Sequence, residues 1–544
     1  MKQVLDVAIV GAGFAGLHML HTLRGLGFKA RVYEAAADVG GVWYWNRYPG
    51  ARCDVESLQY SYSFSQALEQ EWQWTERYAA QPEILRYIQH VAERFELRRD
   101  IRFCAAIESA HFDEAADRWT LHTTAQGEQI TARFCVMATG ALSAARVPEI
   151  PGLTDFAGAC HHTGQWPHEG VDFSGKRVAV VGTGSSGIQA IPAIAQQAAS
   201  LVVFQRTPNF TIPAWNRPLD DATQAEWKAR YAEHRQRARE VGTLYDFTDR
   251  AAADVSSEER RQEYEKRWNK GGVNFVHSFN DLMVNKASND TIAQFVRDKI
   301  SSIVKDPQVA ATLQPTSHPL GTKRICVDTG YYETFNRPNV RLVDLRKTPI
   351  QRITANAICT TAAVHALDAI VFATGYDALT GALARIQIRG IGGRALKDKW
   401  AAGPRTQLGL MSAGFPNLFV VTGPGSPSVL VNMVVGIEQH VEWIARCLVH
   451  MRQRGHTRID AELEAEDRWV AHVNDAANRT LFPLADSWFL GANVPGKPRV
   501  FMPYVAKMGV YRQECEAAAD SGYAGFLLST TSTNNRAAGR LETT

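Results

Sequence analysis

The chain has 544 residues, of which 45% are hydrophobic and 21% charged, a composition typical of folded globular proteins and unlike collagen-like or disordered chains. At about 150 residues per domain, this length predicts roughly three to four domains' worth of polypeptide. The 59 lysines and arginines exceed the 56 acidic residues by only three, so nothing draws the chain strongly to nucleic acid or anionic lipid. We therefore expect a small-molecule partner, with no nucleic acid, no membrane and no obligate protein partner.

The eight cysteines are scattered without the close pairs typical of zinc sites or disulfide frameworks. This favours a reducing compartment, and we expect a cytoplasmic protein. An apolar run at 7–20 follows Asp6 and contains three glycines, so we predict no signal segment there. No stretch of 18 apolar residues occurs either, which argues against a membrane span.

Two copies of one pattern organise the chain. A short apolar strand at 4–10 leads into a glycine turn and a helix at 14–26, and the same order begins again near residue 177. Two further apolar runs, 134–140 and 369–375, end in Ala-Thr-Gly, so we place crossovers near 140–150 and 375–380. The pattern predicts an α/β protein with two Rossmann-like dinucleotide-binding domains, the second inserted in the first, whose sheet resumes at 415–428.

The sequence between about residues 215 and 315 is rich in charged and helix-favouring residues, which predicts a helical insertion. The C-terminal segment is polar and lacks apolar anchors, so we expect it to be disordered. The predicted boundaries are 1–145 and 379–528 for the first dinucleotide-binding domain, 146–214 and 318–378 for the second, 215–317 for the helical insertion and 529–544 for the tail.

The first glycine motif is Gly11-Ala-Gly13-Phe-Ala-Gly16, followed by Glu34 at the end of the next predicted strand. Glycines let the backbone turn and approach a pyrophosphate, the helix N-terminus offers unpaired N–H groups, and a terminal acid accepts hydrogen bonds from ribose hydroxyls. The combination predicts a dinucleotide site of the acid type. The alternative is a glycine turn without a ligand.

The second motif is Gly182-Thr-Gly184-Ser-Ser-Gly187, and its corresponding strand ends in Arg206-Thr207 instead of an acid. An arginine forms charge-assisted hydrogen bonds to the extra phosphate of NADP, which an acid would repel. The alternative for Arg206 is a solvated surface cation. One acid-type and one arginine-type site predict FAD plus NADPH, with hydride passing from the nicotinamide to the flavin.

The electron acceptor is left open by these motifs. Cys53 stands alone in the aromatic segment 40–54, so we predict no dithiol relay, and dioxygen, a quinone or a protein carrier remain. That segment is either a packing loop or a cover for the flavin, and we favour the cover. Histidines 161, 162 and 168 lack the carboxylates or thiolates that a metal site would add, so no metal is expected.

Between the two glycine turns lies the pattern FxGxxxHxxxWP, formed by Phe156, Gly158, His162, Trp166 and Pro167. With both turns, it resembles the signature of type I Baeyer–Villiger monooxygenases over residues 4–528, and segment 40–54 looks most like the phenylacetone and steroid monooxygenase branch. The resemblance implies an NADPH- and FAD-dependent enzyme that activates O2 on the flavin and converts a ketone into an ester or lactone. The alternatives are a flavin monooxygenase acting on sulfur or nitrogen, or an NADPH-dependent reductase that feeds a protein partner.

The resemblance also implies residue roles. Arg324 matches the active-site arginine beside the flavin, and Asp54 the acid that pairs with it. His162 matches a residue that couples the domains. The substrate-pocket positions are Ser428, Val429 and Leu430. The cofactor-binding residues, predicted from the two motifs and the resemblance together, are Gly11, Gly13, Ala15, Gly16, Glu34, Val42, Trp43, Tyr44, Trp45, Arg52, Cys53, Tyr60, Ile107, Met433, Thr183, Gly184, Ser185, Ser186, Gly187, Ile188, Gln189, Arg206, Thr207, Lys323 and Trp488.

One position departs from the family pattern as we expect it. Ala506-Lys507 stands where a pair of glycines is anticipated. Such a replacement is tolerated only if neither residue needs a positive φ. The sequence therefore questions the geometry of this C-terminal loop.

Overall fold

A computed structural model of the chain describes residues 4–125 and 127–530. Its strands are β1 (Leu5–Val10), β2 (Ala30–Tyr33), β3 (Ile101–Arg102), β4 (Ile107–Asp113), β5 (Arg118–Thr123), β6 (Gln129–Met137), β7 (Ala159–His162), β8 (Arg177–Val181), β9 (Ser200–Gln205), β10 (Thr211–Pro213), β11 (Cys326–Asp328), β12 (Val340–Asp344), β13 (Ile350–Thr354), β14 (Ala357–Thr360), β15 (Val364–Ala366), β16 (Ala369–Phe372), β17 (Gln387–Arg389), β18 (Leu418–Val420), β19 (Arg458–Ala461) and β20 (Phe526–Ser529).

Its α-helices are α1 (Phe14–Gly25), α2 (Val42–Trp45), α3 (Gln66–Glu71), α4 (Gln81–Arg94), α5 (Ser185–Gln197), α6 (Asp221–Ala229), α7 (Tyr231–Val241), α8 (Ser257–Lys270), α9 (Lys286–Ile303), α10 (Pro307–Leu313), α11 (Tyr331–Thr334), α12 (Gly381–Ala384), α13 (Leu396–Lys399), α14 (Met433–Arg454), α15 (Leu463–Asn478) and α16 (Met508–Asp520). Within the described residues, no helix combines the length and apolar character needed to cross a membrane.

The first sheet has the strand order β17-β4-β5-β6-β1-β2-β3, with β18 also paired to β6. Strands β6, β1, β2 and β3 run parallel, whereas β4, β5 and β6 form an antiparallel meander. The pairing of β18 with β6 returns the chain to this sheet after a long excursion. This confirms the prediction that the first sheet resumes within 415–428.

The second sheet has the order β12-β9-β8-β16-β7 and is parallel throughout. Its strands all lie between β6 and β17 in the chain, so the second unit is inserted in the first, as the repeated pattern predicts. The central strands β8 and β16 are almost completely buried, which explains their continuous apolar sequence.

The repeated glycine and Ala-Thr-Gly motifs meet in each sheet. Gly11 has a φ of +106°, and a Cβ on it would lie 2.6 Å from the carbonyl oxygen of Ala138. Gly182 has a φ of +112°, and a Cβ there would lie 2.4 Å from the carbonyl oxygen of Ala373. Each glycine turn is therefore pressed against the end of the neighbouring strand, which only a residue without a side chain allows.

The segment between β10 and β11 is helical, with α6 to α10 as its main elements. This confirms the predicted helical insertion. At the other end of the chain, Ser529 pairs with Arg458 in the small antiparallel sheet of β19 and β20, and the hydroxyl of Thr530 donates to the carbonyl of Gly455, so the first two residues of the predicted disordered tail of 529–544 have defined contacts. Residues 531–544 of that tail lie outside the described residues.

Candidate active site

A cavity of about 1150 Å³ is lined by residues of both dinucleotide units. The first glycine turn contributes Gly11 and Gly13, and the second contributes Gly182 and Gly184. The aromatic segment 40–54 and the start of α14 complete the lining. One continuous space therefore connects the two predicted nucleotide sites.

Most of the predicted site residues face this cavity. Those that line it are Gly11, Gly13, Ala15, Glu34, Val42, Trp43, Trp45, Arg52, Cys53, Asp54, Tyr60, Ile107, Thr183, Gly184, Ser185, Ser186, Gln189, Arg206, Thr207, Lys323, Arg324, Val429, Met433 and Trp488.

The remaining predicted cofactor and pocket residues are not among those that line the cavity. Gly16 and Gly187 sit under the first glycine of their own motifs, where a Cβ would meet the carbonyl oxygens of Gly11 and Gly182 at 1.8 and 2.2 Å. The others are Tyr44, Ile188, Ser428 and Leu430. Tyr44 packs on the ring of His168, and Ile188 is buried in the core of the second unit. These residues shape the wall without facing the cavity.

Glu34 follows β2 directly and is 5% exposed. Its carboxylate accepts hydrogen bonds from the backbone N–H groups of Ala12 (2.5 Å) and Ala36 (2.8 Å). Burial raises the pKa of Glu34, while these N–H groups act in the opposite direction. The carboxylate is thus fixed beside the first glycine turn, and Glu34 lines the cavity.

The aromatic segment is held by hydrogen bonds that aim it at the cavity. Trp43 donates from Nε1 to the hydroxyl of Tyr60 at 3.1 Å. The buried Tyr48 donates to Oε1 of Gln189 at 2.8 Å, and Gln189 donates to the carbonyl of Arg52 at 3.0 Å. Gln189 belongs to α5, so this contact ties the second unit to the segment that carries Asp54.

Two cations, Arg206 and Lys323, line the cavity beside the second glycine turn. Among residues 4–125 and 127–530, no carboxylate forms a salt bridge with either. Burial, followed by the charges of Arg206 and Arg499, lowers the pKa of Lys323 to about 8. A pair of like charges held together without a counter-charge is an arrangement that suits an anionic group such as a phosphate.

Arg324 and Asp54 both line the cavity and form a salt bridge with each other. The guanidinium donates from Nε and Nη2 to the two carboxylate oxygens, each at 2.8 Å, and from Nη1 to the carbonyl of Val429 at 2.7 Å. Burial acts to lower the pKa of Arg324, but the adjacent Asp54 carboxylate outweighs it and raises that pKa. The guanidinium is therefore a permanent positive charge with a fixed orientation.

The backbone beneath Arg324 is equally constrained. Strand β11 starts two residues later and pairs in parallel with β10, and the hydroxyl of Thr211 donates to Asp328 across this pair at 2.5 Å. The side chain of Asn209 donates to the carbonyl of Arg324 at 3.1 Å and to the sulfur of Cys326 at 3.2 Å. Asn209 lines the cavity, although no sequence motif singles it out.

The signature residues lie at the junction between the two units. His162 ends β7, is 5% exposed, and accepts a hydrogen bond at Nδ1 from the N–H of Gly164. Its other nitrogen is 3.4 Å from the hydroxyl of Thr374, which donates to the carbonyl of Arg146. Residue 146 belongs to the first predicted crossover and residue 374 immediately precedes the second, so His162 contacts the segments that lead from one sheet to the other.

The other signature residues pack around this junction. Trp166 is buried against His161 and Phe173, and its backbone N–H donates to the backbone carbonyl of Trp45. A Cβ on Gly158 would lie 2.6 Å from the ring of Phe156. Pro167 accepts a backbone hydrogen bond from Gly170. The motif is therefore a packing unit beside the cavity.

The Ala506-Lys507 pair causes no backbone strain. Lys507 has a φ of −58° and precedes the first residue of α16. Ala506 does not have a positive φ. The concern raised by the sequence does not apply, because neither position requires the conformation that favours glycine.

The chain is similar to several known proteins in sequence and in structure. The family profile of pyridine nucleotide-disulphide oxidoreductases matches residues 5–278. The chain is 42% identical over 528 residues to a Baeyer-Villiger monooxygenase of Pseudooceanicola batsensis, covering 96% of both chains. It is also 42% identical over 533 residues to the phenazine N-monooxygenase PhzNO1 of Lysobacter antibioticus, covering 97% of both. A solved structure of oxidized steroid monooxygenase bound to NADP superposes with a TM-score of 0.93 at 54% identity, covering 97% of this chain and 100% of that chain.

Proposed function

Because the chain belongs to the family of Baeyer–Villiger monooxygenases, we propose that it uses FAD, NADPH and O2 to insert one oxygen atom beside a ketone carbonyl, giving an ester or a lactone. The observation that carries this proposal is the guanidinium of Arg324, which is fixed on Asp54 and faces a cavity lined by both glycine turns. The partners that this proposal implies are a small ketone and O2.

The residues present fit both cofactors. At the first turn, the glycines and the N-terminus of α1 suit a diphosphate, and the fixed carboxylate of Glu34 suits ribose hydroxyls. At the second turn, α5 offers the same arrangement, and Arg206 with Lys323 suits the additional phosphate of NADPH. FAD and NADPH are accordingly the cofactors of this enzyme.

When bound, these cofactors supply the reducing equivalents and the activation of dioxygen. The protein supplies a preorganised charge. A guanidinium has five N–H groups, and three of those of Arg324 are taken by Asp54 and Val429. The remaining two are left for oxygen atoms in the cavity. A fixed donor of this kind stabilises negative charge developing on a substrate carbonyl oxygen by about 3 kcal/mol.

Asp54 orients Arg324 without neutralising its outward N–H groups. The two hydrogen bonds to Asp54 occupy the edge formed by Nε and Nη2, and Val429 takes one N–H of Nη1, so one N–H of each terminal nitrogen is left.

The unpaired state of the described cysteines supports a reducing, cytoplasmic location.

Product analysis tests this function against its rivals. The purified enzyme would receive NADPH and 18O2 with aryl, cyclic, linear or steroid ketones, and in parallel with a thioether and an aromatic nitrogen heterocycle. An ester or lactone carrying one labelled oxygen is expected from at least one ketone. The nitrogen substrate is a necessary arm, because the similarity to a phenazine N-monooxygenase is as high as that to a Baeyer–Villiger enzyme. Exclusive oxidation of sulfur or nitrogen, or NADPH consumption without any oxygenated product, would reject the proposal.

A further inference from the structure

Three buried residues hold a left-handed backbone although none is glycine. Leu408, Thr422 and Ser428 have φ values of 54°, 54° and 43°. This conformation is unfavourable for residues with a side chain and persists only where the surroundings impose it. A chain of buried hydrogen bonds connects all three and ends at the guanidinium of Arg324.

The near end of this chain is the turn Ser428–Leu430. The carbonyl of Val429 accepts the Nη1 hydrogen bond of Arg324 at 2.7 Å. Ser428 immediately precedes it, is 2% exposed, and donates from its hydroxyl to the carbonyl of Thr422 at 3.2 Å. The direction of the Val429 carbonyl therefore depends on the conformation of Ser428.

The far end of the chain is a buried histidine on α14. The backbone N–H of Thr422 donates to Nδ1 of His440 at 2.9 Å, so the ring proton must lie on Nε2. Nε2 is 2.7 Å from the hydroxyl of Tyr511, which donates to the carbonyl of Leu408 at 2.6 Å. Burial lowers the pKa of His440 to about 3, so the ring stays neutral and keeps these roles.

We propose that the left-handed turn at Ser428 is a positioning device for Arg324. The turn aims the carbonyl of Val429 at Nη1 of Arg324, and the Ser428 hydroxyl and the buried His440 hold the turn in place. This inference rests on the proposed function for its catalytic meaning. It changes the expected role of segment 428–430, because only Val429 of the three residues lines the cavity. Ser428 does not line the cavity, and its hydroxyl is bonded to the carbonyl of Thr422, so it acts through the backbone.

Three variants separate the backbone conformation from the hydroxyl group. Ser428→Ala removes the hydrogen bond to Thr422 and leaves a side chain at a positive φ. Ser428→Gly removes the same bond but tolerates the conformation. Ser426→Ala is the matched control, because Ser426 is buried in the same loop and donates to the carbonyl of Gly423, away from Arg324.

The expected effects differ among these variants. Ser428→Ala lowers kcat about tenfold, leaves the ketone KM within about twofold, and increases the share of NADPH consumed without ester. Ser428→Gly retains kcat within about threefold of the wild type. Ser426→Ala retains both kcat and the coupling of NADPH to ester. A merely structural role would give Ser426→Ala and Ser428→Ala the same losses.

A double-mutant cycle with Arg324→Lys completes the test. Lysine lacks the guanidinium fork, so Ser428→Ala should cost no further kcat in that background, and the two substitutions should also be non-additive in the free energy of unfolding measured with urea. A Ser428→Ala enzyme with kcat within about twofold of the wild type, or additivity in both quantities, overturns the proposal. If the wild type forms no ester, the proposed function fails separately, while the unfolding cycle still tests the positioning.

Discussion

Arg324 and Asp54 are 270 residues apart in the sequence and share two hydrogen bonds of 2.8 Å. Asp54 comes from the aromatic segment of the first dinucleotide unit, whereas Arg324 precedes β11, where the chain leaves the helical insertion. The pair therefore forms only when both parts of the fold are in place. Its predicted consequences can be tested one residue at a time.

Replacing Asp54 with asparagine removes the charge that orients Arg324. The amide can accept only one of the two hydrogen bonds, so the guanidinium gains freedom. Both side chains are about one quarter exposed, so we expect the free energy of unfolding to fall by only about 1–2 kcal/mol. Ester formation should fall about 10- to 100-fold with FAD still bound.

The matched control for Asp54→Asn is Asp368→Asn. Asp368 accepts two comparable hydrogen bonds from Arg177, at 3.1 and 2.7 Å, on the protein surface. This variant should keep the wild-type rate of ester formation. Equal rates for Asp54→Asn and the wild type would show that the carboxylate does not orient the catalytic charge.

Lys323 should make the recognition of NADPH sensitive to alkaline pH. Its pKa is lowered to about 8, so the ammonium is charged below that pH and loses its proton above it. Because only the charged form attracts a phosphate, kcat/KM for NADPH should fall between about pH 8 and 10. NADH lacks the additional phosphate, and its kcat/KM should lack this component.

The variant Lys323→Arg provides the control for that pH profile. Arginine keeps its charge throughout the range, so the alkaline fall in kcat/KM for NADPH should disappear. Lys323→Ala removes the charge that attracts the additional phosphate. The KM for NADPH should therefore rise more than tenfold, which corresponds to a loss of more than about 1.4 kcal/mol of binding free energy. An unchanged alkaline fall in Lys323→Arg would assign the titration to another group.

Substitutions in the two glycine turns should distinguish the two cofactor sites. Gly11→Ala places a Cβ 2.6 Å from Ala138, and Gly182→Ala places one 2.4 Å from Ala373. We expect Gly11→Ala to be purified with little FAD. Gly182→Ala should retain FAD but fail to reduce it with NADPH.

Gly25→Ala is the control for these glycine variants. A Cβ on Gly25, at the end of α1, meets nothing within 4 Å, and its φ is not in the left-handed region. This variant should bind FAD and be reduced normally. FAD loss from Gly182→Ala with normal binding in Gly11→Ala would contradict the assignment of the two sites.

Much of the fold follows from local sequence signals. The turns at Gly11 and Gly182 each combine an apolar strand, glycines at fixed spacing and a helix, and each pattern describes a contiguous unit of chain. The insertion of the second sheet could be predicted because the Ala-Thr-Gly runs mark where strands end. The antiparallel strand β5 lies between β4 and β6 and has no such signal, because its buried and exposed residues alternate instead of forming a continuous apolar run.

The candidate site was predictable where a side-chain type reveals its chemistry. Glu34, Arg206 and Lys323 carry charges that point to sugars or phosphates, and all three line the cavity. Two other contacts, made by the backbone carbonyl of Val429 and by the side chain of Asn209, could not be predicted from residue type. Arg324 binds a backbone carbonyl at Val429, which any residue type could provide, and Asn209 acts on the backbone of Arg324 through a contact over 115 residues.

The most direct test of the whole account is the reaction of Arg324→Ala with a ketone accepted by the wild type, NADPH and 18O2. Flavin absorbance would be followed anaerobically, and the products would be identified by mass. The variant should bind FAD and be reduced by NADPH, yet form labelled ester at least about 100-fold more slowly than the wild type or Arg177→Ala. Labelled ester formed by Arg324→Ala at the wild-type rate would contradict the assignment of the catalytic charge to Arg324.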